Sequence, residues 1–141
     1  MEVLCMSKIG AKIGDSAEFS VEVTADMVDA FAKLSGDMNA LHMDEKFAQS
    51  KKFEGRVAHG MLGASFFSRL VGMHLPGKNS LYLSQSLFFR RPIYIGMKVT
   101  VKGVVMQTTT ATRTVKIKTE ILNSANAECL LDGEALVKVL E

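Results

Sequence analysis

Asp37, Asn39 and His42 lie within the stretch Ser35-Gly36-Asp37-Met38-Asn39-Ala40-Leu41-His42-Met43-Asp44, the densest polar constellation of the chain. A carboxylate beside an imidazole is a general acid/base pair. The ring titrates near neutrality, and the carboxylate can activate a water or hold the ring in place. Asp37 and His42 are five positions apart and share no face of a continuous helix. On a turn that runs into a helix start they can converge, because irregular backbone can aim side chains into a cleft. The same residue types also serve as caps and turn formers, with Asp37 and Asp44 capping and His42 at the surface. The spacing alone leaves both readings open.

A second candidate is Ala58-His59-Gly60-Met61, at the start of an apolar helical run. The first N–H groups of a helix have no intrahelical acceptor, and Gly60 removes side-chain bulk where they point outward. Such a start can donate to a carbonyl that gains negative charge, as an oxyanion hole does. It can equally be a glycine chosen for packing. Ser65 and Ser68 lie further along the run. A hydroxyl there usually bonds back to a carbonyl one turn earlier, although Ser68 can also reach toward a catalytic carboxylate. No G-x-S-x-G elbow surrounds either serine, so neither is a good nucleophile candidate. His42-x-Asp44 with His59 as a third ligand is a weak metal pattern, unsupported by other His, Glu or Cys spacing, so no metal is expected. No glycine-rich phosphate loop is present. Lys51, Lys52, Arg56, Lys78, Arg90 and Arg91 can meet the phosphates of a nucleotide-bearing substrate or can simply be solvated.

The chain of 141 residues that must position these groups is one domain by its length, with residues 1–15 as a weakly structured lead-in. A chain of this size buries roughly two thirds of its unfolded surface and needs no disulfide or structural metal to fold. Hydrophobic residues make up 48% and charged residues 23%, which excludes a disordered tail or a disulfide scaffold. The net charge of +2, the absence of Trp and a scarcity of aromatic residues argue against nucleic-acid binding. Cys5 and Cys129 are isolated thiols, as in a reducing compartment. Lys8 and Lys12 interrupt any signal-peptide core, Met6 is an alternative start, and no run is long enough to cross a membrane. A cytoplasmic protein is expected, or a mitochondrial-matrix one if a longer precursor exists.

Alternation over Ala17–Val23 predicts a strand, and Thr24 is placed to cap a helix over 25–35 that Gly36 ends. Asp44 is placed to cap a short helix to about Gln49. The run 60–73 is apolar on nearly every side and predicts a long buried helix, stopped by Pro76-Gly77. Beyond it, β-branched residues at period two predict strands near 80–90, 98–107, 111–122 and 128–139. Their polar faces and short connections predict an antiparallel sheet. The class is α+β, with the sheet curved around the long helix. One sheet cannot hide every side of that helix and all its own edges, which predicts a homodimer.

Three segments together carry a resemblance. Residues 31–44 (F-A-K-L-S-G-D-M-N-A-L-H-M-D), 57–68 (V-A-H-G-M-L-G-A-S-F-F-S) and 75–96 resemble, in order and spacing, the MaoC-like hydratases of the hot-dog fold. The likeness is closest to the (R)-specific enoyl-CoA hydratases and runs from about residue 10 to the end. It implies an antiparallel sheet wrapped around the 60–73 helix, a homodimer, and a site at the dimer interface. It implies Asp37 and His42 as the catalytic pair and the Gly60 N–H as donor to the thioester carbonyl. It gives Asn39 and Ser68 supporting places.

The implied reaction is reversible addition of water to a trans-2-enoyl-CoA, giving an (R)-3-hydroxyacyl-CoA with no cofactor and no metal. A 3-hydroxyacyl-ACP dehydratase of fatty acid synthesis shares fold and dyad and is the main alternative. A thioesterase lacks the D-x-N-x-x-H order, and the intact dyad argues against a non-catalytic acyl-CoA-binding protein. Met38, Leu62 and Phe66 are candidate lining residues of the acyl pocket.

Overall fold

A computed structural model describes residues 11–141. Cys5, Met6, Lys8 and most of the expected lead-in lie outside the described residues. β1 (Ser16–Glu22) is followed by α1 (Ala25–Ser35), α2 (Ala40–Met43), α3 (Glu45–Ser50) and α4 (Gly60–Met73). Then come β2 (Ser80–Gln85), β3 (Phe88–Phe89), β4 (Lys98–Thr109), β5 (Thr114–Asn123) and β6 (Cys129–Val139). All pairs are antiparallel. The strand order is β1-β4-β5-β6-β2, and β3 also pairs with β6.

The local chemistry explains the helices near the site. Thr24 Oγ1 accepts from the Met27 N–H at 3.2 Å, which starts α1. Gly36 ends it at φ 82°, a conformation glycine adopts without strain, and its N–H donates to Ala32 O. Asp44 Oδ1 accepts from the Phe47 N–H at 3.1 Å and starts α3. The four-residue α2 is new relative to the sequence reading; it is too short to leave a periodic signature.

The core follows the predicted alternation. Val99, Val101 and Val105 of β4 and Val115, Ile117 and Ile121 of β5 are all buried. Each such side chain contributes about 1.5–3 kcal/mol over an exposed one. Against this face lies α4, packed on β1, β2, β4 and β6, the hot-dog arrangement. Two glycines let helix and sheet approach. A Cβ on Gly63 would stand 3.2 Å from Ile93 Cδ1, and one on Gly103 of β4 would stand 2.8 Å from Leu70 Cδ2.

Two expectations are corrected. The helix is not buried on nearly every side: Leu62, Phe67, Leu70 and Val71 are buried, but Met61 is 55% and Met73 72% exposed. A single sheet covers only the side it touches. The strand expected over 80–90 is split into β2 and β3. At the break, the Ser86 main chain crosses Gly133, where any Cβ would overlap Ser86 O, and a register shift falls between Tyr82 and Ser84.

Candidate active site

The loop between α1 and α2 is built by side chains bonding the backbone two residues on. The Ser35 hydroxyl accepts from the Asp37 N–H at 3.1 Å, Asp37 Oδ1 from the Asn39 N–H at 3.2 Å, and Asn39 Oδ1 from the Leu41 N–H at 2.9 Å. Such turns are the usual competitors of helix for Ser, Asp and Asn. Here they fold Asp37 back toward α2, which carries His42.

His42 Nδ1 lies 2.6 Å from Val57 O. A carbonyl only accepts, so Nδ1 carries the proton and Nε2 is left facing Asp37 Oδ2 at 3.8 Å. That gap exceeds a hydrogen bond. An oxygen about 2.8 Å from each atom can bridge it. His42 is 15% and Asp37 50% exposed in their side chains.

Gly60, the first residue of α4, shares a cavity of about 450 Å³ with His42. Met61, Phe89, Arg90 and Arg91 are also in its wall. A Cβ on Gly60 would come 2.5 Å from Phe89 Cε1, so only glycine leaves that ring in place. Arg90 pairs with Asp132 at 3.1 Å and Arg91 with Glu128 at 2.6 Å. The cavity wall does not include Met38, Leu62 or Phe66; Leu62 belongs to the core instead.

Asn39 acts on the loop itself, through its cap on α2. Ser68 is exposed on α4, eight residues and about 12 Å along the axis from Gly60. The hydrogen bonds of the Asp37, Asn39 and His42 side chains go to other groups.

Two neighbours went unrecognised in this role. Arg56, a candidate phosphate contact, is turned inward: its guanidinium donates to His42 O at 2.6 Å and to Asp29 Oδ1 at 2.5 Å, tying α1 to the dyad. His59 is buried, with Nε2 at 2.9 Å from Asp37 O and its ring against His42. Asp37, His42 and His59 thus present ligand-type atoms within 4.8 Å of one another. The hydrogen bond from His59 Nε2 and that from His42 Nδ1 already commit one nitrogen of each ring.

The family model described as "MaoC like domain" matches residues 8–127. The chain belongs to the MaoC-like family. Among curated relatives, it is 41% identical to an (R)-specific enoyl-CoA hydratase of Aeromonas caviae, over 95% of this chain and 99% of that protein. It is 37% identical to a mitochondrial 3-hydroxyacyl-[acyl-carrier-protein] dehydratase of Arabidopsis thaliana, over 92% of this chain and 78% of that one. The solved structure of an (R)-hydratase from A. caviae involved in PHA biosynthesis superposes with a TM-score of 0.88 at 40% identity, covering 92% of this chain and 97% of that one. Among the described residues, no helix of this MaoC-like chain is long and apolar enough to cross a membrane.

Proposed function

We propose that the protein is an (R)-specific enoyl-CoA hydratase, a hydro-lyase that adds water reversibly across trans-2-enoyl-CoA to give (R)-3-hydroxyacyl-CoA. The observation that carries this reading is the pairing of Asp37 Oδ2 with His42 Nε2, 3.8 Å apart, beside a cavity that Gly60 also lines. Both atoms can hold one water oxygen at once. As that oxygen bonds to C3, the dyad takes up its proton. Negative charge then moves onto the thioester oxygen, where the Gly60 N–H, at the positive end of α4, stabilises it. Asp37 and His42 between them return a proton to C2, so the step balances without a cofactor. In the dehydrating direction the acid and base roles exchange.

The protein is expected to work as a homodimer in the cytoplasm. Met61 and Met73 on α4 and Leu81 and Leu83 on the edge strand β2 are exposed and apolar, a surface that a second copy would cover. Ser68 lies on the exposed side of α4 too, and its supporting role belongs to that assembly. Light scattering should give twice the chain mass of 15.4 kDa at micromolar concentration; a mass of one chain contradicts the dimer.

A second reading, dehydration of 3-hydroxyacyl-ACP, is favoured by the similarity to the plant dehydratase and by Arg90 and Arg91 at the cavity, since acyl carriers dock through acidic helices. The deciding experiment follows loss of the conjugated enoyl absorbance of crotonyl-CoA, with no added cofactor. An (R)-selective dehydrogenase reads the product, and crotonyl-ACP is run in parallel. Hydration of the CoA ester to (R) product is expected. Turnover of the ACP ester alone moves the second reading to the front, and turnover of neither ends both.

A further inference from the structure

We infer that His59 is a positioning residue of the hydration reaction, tethering the Asp37 loop at its working distance from His42; this rests on the reading of the dyad given above. His59 is 2% exposed. Its Nε2 lies 2.9 Å from the main-chain oxygen of Asp37, not from the carboxylate. A carbonyl oxygen only accepts, so Nε2–H is the donor and the ring is locked in one tautomer. The ring face rests on His42, centroids 4.0 Å apart and planes tilted by 31°. Phe31 of α1 backs it at 4.9 Å. His59 also immediately precedes Gly60, and its own carbonyl accepts from the Leu62 N–H at 3.0 Å. One side chain therefore touches the loop of the carboxylate and the face of the imidazole. Its main chain is continuous with the N–H placed to meet the thioester oxygen.

Stability does not account for an imidazole here. Nδ1 of His59 is buried and without a hydrogen-bond partner, the only such side-chain atom among the described residues. A buried polar atom left unpaired costs about 1–3 kcal/mol. A phenylalanine keeps an aromatic ring between Phe31 and His42 without a buried unpaired nitrogen, and at Asp37, which is exposed, solvent can replace the lost donor. What phenylalanine lacks is the N–H that holds Asp37 O. The retained imidazole is a local violation of good packing at a site where function needs the donor. The loop it tethers is otherwise held only by short-range turn bonds at the surface, so without the tether the carboxylate has room to drift. The substrate carrier does not depend on this contact, so the effect falls on turnover rather than binding.

His59→Phe is therefore expected to lower kcat for crotonyl-CoA by about 10²-fold, the scale of a roughly 1 Å misplacement. KM should stay within about twofold, and the thermal midpoint should be unchanged or raised. His59→Gln restores an N–H donor of similar reach and should recover most of the lost kcat. Wild-type kcat in the Phe variant overturns the tether. So does a Gln variant no better than Phe, or a loss of activity that merely tracks a lowered midpoint. Should the Phe variant not fold, His59→Asn replaces it. Its amide is one methylene short, and a kcat equal to that of His59→Gln overturns the inference. Wild type and Asp37→Asn are assayed alongside. An inactive wild type removes the dyad reading and this inference with it, whereas an active wild type beside a fully active Phe variant removes only the tether.

Discussion

Two polar clusters of the molecule are built to different ends. In the first, Thr119 of β5 is fully buried; its hydroxyl donates to Gly133 O at 3.0 Å and accepts from Gln85 Nε2 at 2.9 Å. Gln85 Nε2 also donates to Ser86 O at 2.8 Å, and Gln85 Oε1 accepts from the Tyr82 hydroxyl. Donors and acceptors are matched within the cluster, which seals the break between β2 and β3. In the second, the Asn39 N–H satisfies Asp37 Oδ1 and Val57 O satisfies His42 Nδ1, but Asp37 Oδ2 and His42 Nε2 are left facing each other across 3.8 Å. The closed cluster spends its hydrogen-bonding capacity on the fold. The open one keeps two acceptor atoms free for a third party. Polar residues near a cavity are thus not equivalent as candidates. The informative question is which atoms remain uncommitted after the backbone has been served.

That contrast breaks first at the open cluster. Asp37→Asn keeps the Oδ1 acceptor for the Asn39 N–H but removes the negative oxygen opposite His42. Turnover of crotonyl-CoA should fall by about 10²–10⁴-fold, with the thermal midpoint within a few degrees of wild type. A fully active Asp37→Asn protein would end the catalytic assignment. Gly60→Val comes next. Its side chain must displace Phe89, which a Cβ alone would meet at 2.5 Å, and it crowds the N–H proposed to receive the oxyanion. kcat/KM should drop by about 10²-fold with a smaller effect on stability. Comparable losses of activity and stability would return Gly60 to a packing role.

The closed cluster should behave in the opposite way. Thr119→Val leaves Gly133 O and one Gln85 donor unmatched in the interior and should destabilise the fold by about 1–3 kcal/mol. Turnover per folded molecule should be preserved. Urea denaturation measures the first and active-site-normalised kinetics the second. A stable but slow Thr119→Val protein would mean that the two clusters are coupled through β6 and would dissolve the contrast.

The open cluster was more legible in the sequence than the closed one, for a physical reason. Asp37, Asn39 and His42 are near neighbours along the chain, so local turn chemistry both builds the site and advertises it. The helix over 60–73 and the alternation of β4 and β5 were equally plain, because periodicity repeats a burial signal many times. Thr119 of β5 meets Tyr82 and Gln85 of β2 only through register, and a register shift between Tyr82 and Ser84 leaves no mark in the pattern Ser80–Gln85. Gly133 facing Ser86, which splits the strand expected over 80–90, is likewise a long-range contact. His59 was visible as a residue but not as a tether, since its partner is the main-chain oxygen of Asp37, to which composition gives no clue. The apolar run over 60–73 reports that α4 needs cover beyond its own sheet, but not which residues of its open face, such as Met61 and Met73, lie uncovered in one chain.

The smallest effect sharpens the comparison inside the closed cluster. Burial pushes the Tyr82 phenol up from 10.0 to about 12, so this hydroxyl remains a donor to Gln85 where an exposed tyrosine would already be ionised. Below pH 10 the phenol is protonated in both the folded and unfolded chain and adds no pH dependence. As pH climbs past the unfolded value, the unfolded chain releases this proton first while the folded chain retains it. The folded state then binds more protons than the unfolded one, and stability falls with rising pH through the window up to about 12. Tyr82→Phe removes the group that titrates. At neutral pH it should cost about 1 kcal/mol, the value of one hydrogen bond, since Gln85 Oε1 loses its donor. At alkaline pH the gap between wild type and variant should shrink, because only wild type pays the ionisation. Urea midpoints of both proteins at neutral pH and at the alkaline end decide it. A gap that stays constant would mean the phenol is as free to ionise folded as unfolded, and the cluster is less closed than its hydrogen bonds imply.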